Sequence, residues 1–147
     1  MAIKPIPEGY HTITPFLVTP KVKECMEFLK KAFDAQEIYK MEASDGAIMH
    51  AEMKIGNSML MMGEASEKYP PLYGALYLYV EDVDKIYKQA IDAGATSTME
   101  PTDQFYGDRT SGIKDQFGNT WWIGTHIEDV SAEELTKREK EMQNKKK

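Results

Sequence analysis

The chain has 147 residues, 41% hydrophobic and 29% charged, with a formal net charge of −6. This length suits one compact domain, or two small halves sharing a core, because a half of about seventy residues buries too little surface alone. The acidic balance argues against a nucleic-acid face, which needs clustered basic charge. No apolar run approaches the ~20 residues needed to cross a bilayer, and the lone cysteine, Cys25, excludes an internal disulfide and a cysteine-based zinc cluster.

An irregular lead-in at 1–10 lacks the apolar core and small-residue cleavage site of a secretory leader, which predicts a cytoplasmic protein. A strand is expected at 12–18. Thr19-Pro20 then supplies an N-cap hydroxyl followed by proline at the first helical position, so the first helix should start there and run to about Phe33. Val22, Cys25, Met26, Leu29, Ala32 and Phe33 recur at spacings of three and four and make one buried stripe. Cys25 on that stripe reads as a small buried hydrophobe.

A second strand at 36–41 and a Ser44-Asp45-Gly46 turn lead to a third strand at 48–55. There Met49, Ala51, Met53 and Ile55 alternate with His50, Glu52 and Lys54, the pattern of a sheet covered on one face. Gly56-Asn57 predicts a tight hairpin before a fourth strand at 58–62. A charged, proline-bearing stretch at 64–73 follows as a linker. The strand at 75–80, an Asp82-capped helix with the stripe Val83, Ile86, Tyr87 and Ala90, and its Gly94 stop come next. A short strand at 96–99, a long loop at 101–109 and strands at 110–114 and 120–125 complete this half. Ser131-Ala-Glu-Glu134 has the capping-box form and opens a charged helix at about 131–144, and Lys145-Lys146-Lys147 reads as a solvated tail.

The order of signals is said twice. Ile55-Gly56-Asn57-Ser58-Met59-Leu60 returns sixty-two positions later as Phe117-Gly118-Asn119-Thr120-Trp121-Trp122, and Val18 and Val80 are also sixty-two apart, whereas the helix stripes are sixty-one apart. Such self-similarity predicts two copies of one βαβββ unit, module 1 at about 12–63 and module 2 at about 74–126.

These two copies, the stretch Asp115-Gln-Phe-Gly-Asn-Thr-Trp-Trp122 and the ending Thr125-His-Ile-Glu-Asp-Val-Ser131 together resemble the glyoxalase/bleomycin-resistance/extradiol-dioxygenase superfamily, also called vicinal oxygen chelate, and within it the PhnB-like branch. The resemblance spans about 12–131. It implies an α+β fold in which two tandem βαβββ modules form a cupped mixed sheet, here with an added C-terminal helix. It also implies a homodimer with the cup near the subunit interface, holding a divalent metal or an organic ligand.

In the family's metalloenzymes, the first and last strands of each module carry one ligand apiece. The resemblance puts those ligands at Ile13, Leu60, Ala75 and Trp122, and a shift by one residue substitutes Thr14, Leu76 or Tyr77, Met59 or Met61, and Trp121. None offers carboxylate oxygen or imidazole nitrogen, so no metal or other cofactor is expected. The expected partner is a small organic molecule held by thioethers and aromatic faces, among them Met59 to Met62, Tyr77, Tyr79, Trp121 and Trp122. The ligand-binding candidates are His50, Glu52, Tyr77, Tyr106, Arg109 and Trp122. Two other readings stay open. One is a divalent-metal-dependent lyase, isomerase or dioxygenase using His50, Glu52 and His11. The other is an interaction module with a filled cup and a docking C-terminal helix. His126 and Glu128 alternate onto one face, but equally suit a strand end leading to the helix cap.

Overall fold

The apolar stripe on each helix sets the architecture. In the computed structural model, which describes residues 2–145, the order is β1 (Phe16–Thr19), α1 (Val22–Phe33), β2 (Gln36–Glu42), β3 (Ile48–Ile55), β4 (Ser58–Glu64), β5 (Ala75–Tyr79), α2 (Val83–Asp92), β6 (Thr96–Asp103), β7 (Asp108–Lys114), β8 (Thr120–His126) and α3 (Ala132–Lys145). Met1, Lys146 and Lys147 lie outside the described residues, and with them most of the basic tail. The strands form two four-stranded sheets, ordered β1-β4-β3-β2 and β5-β8-β7-β6. In each, the first strand runs parallel to the last and the other pairs are antiparallel. This is the βαβββ unit made twice, an α+β fold with an appended helix. No described helix is long and apolar enough to cross a membrane.

Helix α1 lies on β3 and β4, α2 lies on β6, β7 and β8, and the helices pack on each other. Leu17, Leu29, Met53 and Met62 from the first half and Val83, Ala90, Ile113 and Ile123 from the second therefore share one core. The Phe33 ring of α1 meets Trp121 of β8 at 5.0 Å between centroids. Burying one such aliphatic side chain stabilises by about 1.5–3 kcal/mol. Each half owns too few to offset the entropy of ordering its own chain, so the halves depend on each other. Cys25 is fully buried in this core, where burial pushes its thiol up to about 12 and leaves it inert.

The first strand begins at Phe16 and not at Thr12, and four further local features depart from the expected pattern, each for a visible reason. Helix α1 begins at Val22 with Lys21 as its N-cap and no side-chain cap from that residue. Its first N–H donates instead to Glu64 Oε2 at the end of β4, 3.1 Å away. A carboxylate brought in from the sheet both accepts this orphan N–H and complements the helix dipole, and this long-range cap displaces the local Thr19-Pro20 signal. Glu64→Ala is expected to cost about 1 kcal/mol, the usual value of an N-cap; an unchanged urea midpoint would show that the carboxylate contributes nothing.

In β3, Ile48 rather than Met49 reaches the core, because pairing with β2 shifts between Met41 and Glu42 and a bulge turns the strand. Strand β6 extends to Asp103, so the expected long loop shrinks to a turn at 104–107 closed by the Gly107 N–H on the Gln104 carbonyl. The two Gly-Asn hairpins also differ. Gly56-Asn57 is a two-residue turn between the paired Ile55 and Ser58, with Gly56 at φ 57°. Its counterpart spans 115–119, five residues between the paired Lys114 and Thr120.

The Gly-Asn motifs, sixty-two residues apart, therefore do not mark the repeat of the strands. Phe16 pairs with Met61 and Tyr77 with Trp122, while Leu17 pairs with Met62 and Leu78 with Ile123. Structural equivalence on the first and last strands therefore runs at sixty-one residues, the offset of the helices, and not sixty-two. A one-residue slip moves every side chain to the other face. Leu60 accordingly matches Trp121, and both are buried in the core.

Candidate functional site

A sheet covered by helices on one side must leave its other face to something else. The uncovered face of the first sheet carries Phe16 on β1, Met61 on β4, His50 and Glu52 on β3 and Tyr39 and Met41 on β2, as register and alternation dictate. The second carries Tyr77 and Tyr79 on β5, Trp122 and His126 on β8 and Asp108 and Thr110 on β7. Phe16, Tyr39, Met41, Tyr77, Tyr79 and Trp122 all expose large apolar surface there. Both faces point away from the shared core.

One glycine on the last strand shapes each face. Gly63 and Gly124 are sixty-one residues apart and pair with Val18 and Tyr79. A Cβ on Gly63 would stand 3.1 Å from the Phe16 ring, and one on Gly124 would collide with the Tyr77 hydroxyl. The missing side chain lets the first-strand aromatic ring lie flat across the neighbouring strand, the usual reason for glycine inside a strand.

On the first face the ring of Phe16 lies 5.9 Å from that of His50, and His50 Nε2 lies 3.1 Å from Glu52 Oε2. His50 and Glu52 are brought together as a half-buried hydrogen-bonded pair. His11 lies exposed ahead of β1 and does not join them.

The second face is more elaborate. Tyr77 crosses Gly124 so that its hydroxyl lies 2.8 Å from Thr110 Oγ1 and donates to Asp108 Oδ2 at 3.1 Å. The Tyr79 hydroxyl donates to the same oxygen at 2.8 Å. The other oxygen, Oδ1, faces His126 Nδ1 at 2.9 Å, and His126 Nε2 faces Asp129 Oδ1 at 2.7 Å. Asp108 is only 4% exposed. Burial alone would raise its carboxyl, but the hydrogen bonds from His126, Tyr79 and Tyr77 outweigh that and hold it below the usual carboxylate range. Burial, with the Asp108 carboxylate beside it, pushes the Tyr77 phenol up to about 12. Hydrogen bonds to Asp129 and then Asp108 raise His126 above the ordinary imidazole value.

These perturbed groups cluster on one face, as they do at functional sites. Of the group, the sequence pointed to Tyr77 as a candidate, named Tyr79 among the aromatic faces and left His126 undecided, while Asp108 and Thr110 escaped it. The available signal was alternation: Tyr77-Leu-Tyr79 and Trp122-Ile-Gly-Thr-His126 place alternate side chains on one face.

Tyr106 stands partly exposed in the 104–107 turn with its ring edge-on to Phe105. Arg109 points to the helix side. It grips Asp84 of α2 with Nε and Nη2 at 2.9 and 3.0 Å and Asp103 with Nη1 at 3.0 Å, so its fork is already taken by two carboxylates. Arg138 similarly holds α3 to Glu128 and to the Phe105 carbonyl.

The donor set does not fit a divalent metal. The equivalent open-face positions on the first and last strands are Phe16, Met61, Tyr77 and Trp122, none with a carboxylate or imidazole. Ile13 precedes β1, Leu60 faces the core, and Ala75 offers only a methyl group. Among the described residues, no group of three or more His, Cys, Asp or Glu side chains is arranged to hold an ion. Asp108 and Asp129 sit on opposite nitrogens of one imidazole ring, so their oxygens do not converge.

Between the β5 edge with the start of α2 and the β3–β4 hairpin lies an open cleft of about 1260 Å³, lined by Tyr77 to Asp82 and His126 on one side and by Lys54 to Ser58 with Phe33, Asp34 and Gln36 on the other. That is ample for a small organic molecule.

Known proteins match this architecture. A protein of Mycobacterium bovis is 30% identical over 134 residues, covering 84% of this chain and 88% of its own, and one of Mycobacterium tuberculosis is 30% identical with 84% and 79% covered. TioX from Micromonospora superposes with a TM-score of 0.70 at 20% identity, covering 80% of this chain and 99% of its own. The fosfomycin resistance protein FosX from Listeria monocytogenes, solved with Mn(II) and sulfate, gives 0.61 at 17% identity, with 87% and 96% covered. Residues 10–123 match the sequence profile of the Glyoxalase/Bleomycin resistance protein/Dioxygenase superfamily, and the chain belongs to that superfamily.

Proposed function

We propose that this protein, of PhnB-like type, is a metal-independent small-molecule-binding protein that works as a homodimer, a second copy covering the open faces to complete the cup. The observation that carries the reading is the quartet Phe16, Met61, Tyr77 and Trp122, related by the sixty-one-residue repeat. On the open faces of the first and last strands this chain offers a phenyl ring, a thioether, a phenol and an indole, and the positions that the family resemblance gives to metal ligands, Ile13, Leu60, Ala75 and Trp122, likewise carry no carboxylate or imidazole. Such groups hold planar and cationic organic molecules through dispersion, stacking and cation–π attraction. The same exposed apolar residues favour a covering partner, because large contiguous apolar patches are rare on free monomers.

The test combines elemental analysis with ligand binding. Protein purified without a tag or chelator is expected to carry metal at background level, even after zinc, nickel, iron or manganese is added back. Aromatic ligands found by thermal shift should lose roughly tenfold in affinity on Trp122→Ala, about the value of one stacking contact. One bound metal per chain, lost in His50→Ala, would overturn the metal-independent reading, and a monomer in light scattering would overturn the dimeric cup.

A further inference from the structure

The Asp108–His126–Asp129 array contains two acceptors that face each other. Asp108 is buried and ionised, so it only accepts, and His126 must present an N–H at Nδ1 to it. That fixes the tautomer: in a neutral ring, Nε2 is a bare lone pair. Opposite Nε2, at 2.7 Å, is Asp129 Oδ1, also an acceptor. Without a donor between them these atoms repel. A proton on Nε2 supplies that donor in the free protein, and the N–H of a bound molecule supplies it equally well. Room for the exchange exists because the Asp129 side chain is fully exposed and can swing outward, whereas Asp108 is pinned by both tyrosines.

The surroundings select a cationic donor. Tyr77 and Tyr79 stand beside the array, their rings 4.8 Å apart between centroids and tilted by 46°, and aromatic rings of this kind attract a positive charge. The cleft that opens onto His126 also offers the carboxylates of Asp34, Glu81 and Asp82, beside Lys54 and Lys85. We propose that this face anchors an organic amine, whose ammonium group donates to His126 Nε2 and Asp129 in direct competition with the proton held there. The assignment rests on the small-molecule-binding reading above and names the ligand class for the second open face.

Proton competition gives a distinctive signature. Binding of 2-phenylethylamine, followed by calorimetry at pH 6, 7 and 8 where the amine stays charged, should tighten with pH. The slope approaches about tenfold per unit while His126 is mostly protonated, as one-proton linkage requires. N,N,N-Trimethyl-2-phenylethylammonium has the same ring and charge but no N–H to take the proton's place, so its slope should be much shallower, set by charge repulsion from protonated His126 alone. 3-Phenylpropionate should bind least. His126→Gln should abolish the pH slope. Asp129→Asn, at an exposed position that leaves the fold intact, should weaken the amine several-fold more than the quaternary probe, which loses only charge attraction. An amine affinity that does not change with pH, a quaternary probe with the same slope, or tighter binding of the carboxylate would overturn the anchor while leaving the binding cup in place. Binding of none of the three probes would overturn the anchor and count against the cup itself.

Discussion

Asp115→Ala is expected to be the most damaging single substitution at a polar residue outside the open faces, lowering stability by about 3–5 kcal/mol. Asp115 opens the five-residue loop between β7 and β8, and its two oxygens accept from Phe117 N–H, Asn119 N–H, Asn119 Nδ2 and Trp121 Nε1 at 2.8 to 3.0 Å. The Asn119 side-chain oxygen in turn accepts from Gly74 N–H, tying the linker between modules to the same hub. Asp115, Asn119 and Trp121 are all buried. Removing the carboxylate leaves several donors with neither partner nor water, and each buried orphan costs about 1–3 kcal/mol. The Trp121 indole also packs on Phe33 of α1, so a shift of its ring would loosen the contact between halves. Urea denaturation followed by tryptophan fluorescence measures the loss. A change below about 1 kcal/mol would show that the loop is held by its own turn and not by the carboxylate.

Gly124→Ala carries the second large effect, and it is directed at the candidate site. The backbone there is ordinary strand, so the cost comes from the added methyl group alone. Its Cβ would collide with the Tyr77 hydroxyl oxygen and stand 2.9 Å from the ring carbon bearing it. The phenol must leave Gly124, and in leaving it gives up Thr110 and Asp108. Overpacking of this kind costs about 1–3 kcal/mol, and any ligand that uses Tyr77 or His126 should bind much more weakly. Tyr77→Phe removes the closest atom, so the cost of Gly124→Ala should shrink in that background; strictly additive effects would mean the two side chains do not meet. Gly63→Ala, with its nearest contact at 3.1 Å on Phe16, should be the milder change.

The pH response of the free protein follows from the same cluster. The raised His126 contributes stability that is fully present below the ordinary imidazole value and is lost as pH rises through its higher folded value. The lowered Asp108 acts oppositely: its contribution is present above the ordinary carboxylate value and is lost as pH falls through its lower folded value. Both contributions are present together in the window between those two ordinary values.

The amino-acid sequence by itself determined the elements and their duplication. Helical stripes such as Val22-Cys25-Met26-Leu29 and strand alternation such as His50-Ala51-Glu52-Met53 are local periodicities, set by 3.6 and 2 residues per repeat, and both halves display them in the same order. The absence of metal-donor residue types from the expected ligand positions was equally legible, because it survives a slip of one residue. What only the tertiary structure decided was register and long-range partnership. The first and last strands repeat at sixty-one residues although the Gly-Asn motifs repeat at sixty-two, because the second motif sits inside a five-residue loop and not a two-residue turn, and this register puts Leu60 in the core and Met61 on the open face. Glu64 replaced Thr19 as the effective cap of α1 because a carboxylate forty-two residues away lands on its first N–H. Arg109, a ligand candidate by residue type, was claimed by Asp84 and Asp103. The Asp108–His126 pair, eighteen residues apart in the chain, met only because β7 and β8 align them across one ladder. Local patterning names faces and periods; which charged side chains meet across a sheet depends on loop lengths and strand order, which no local window contains.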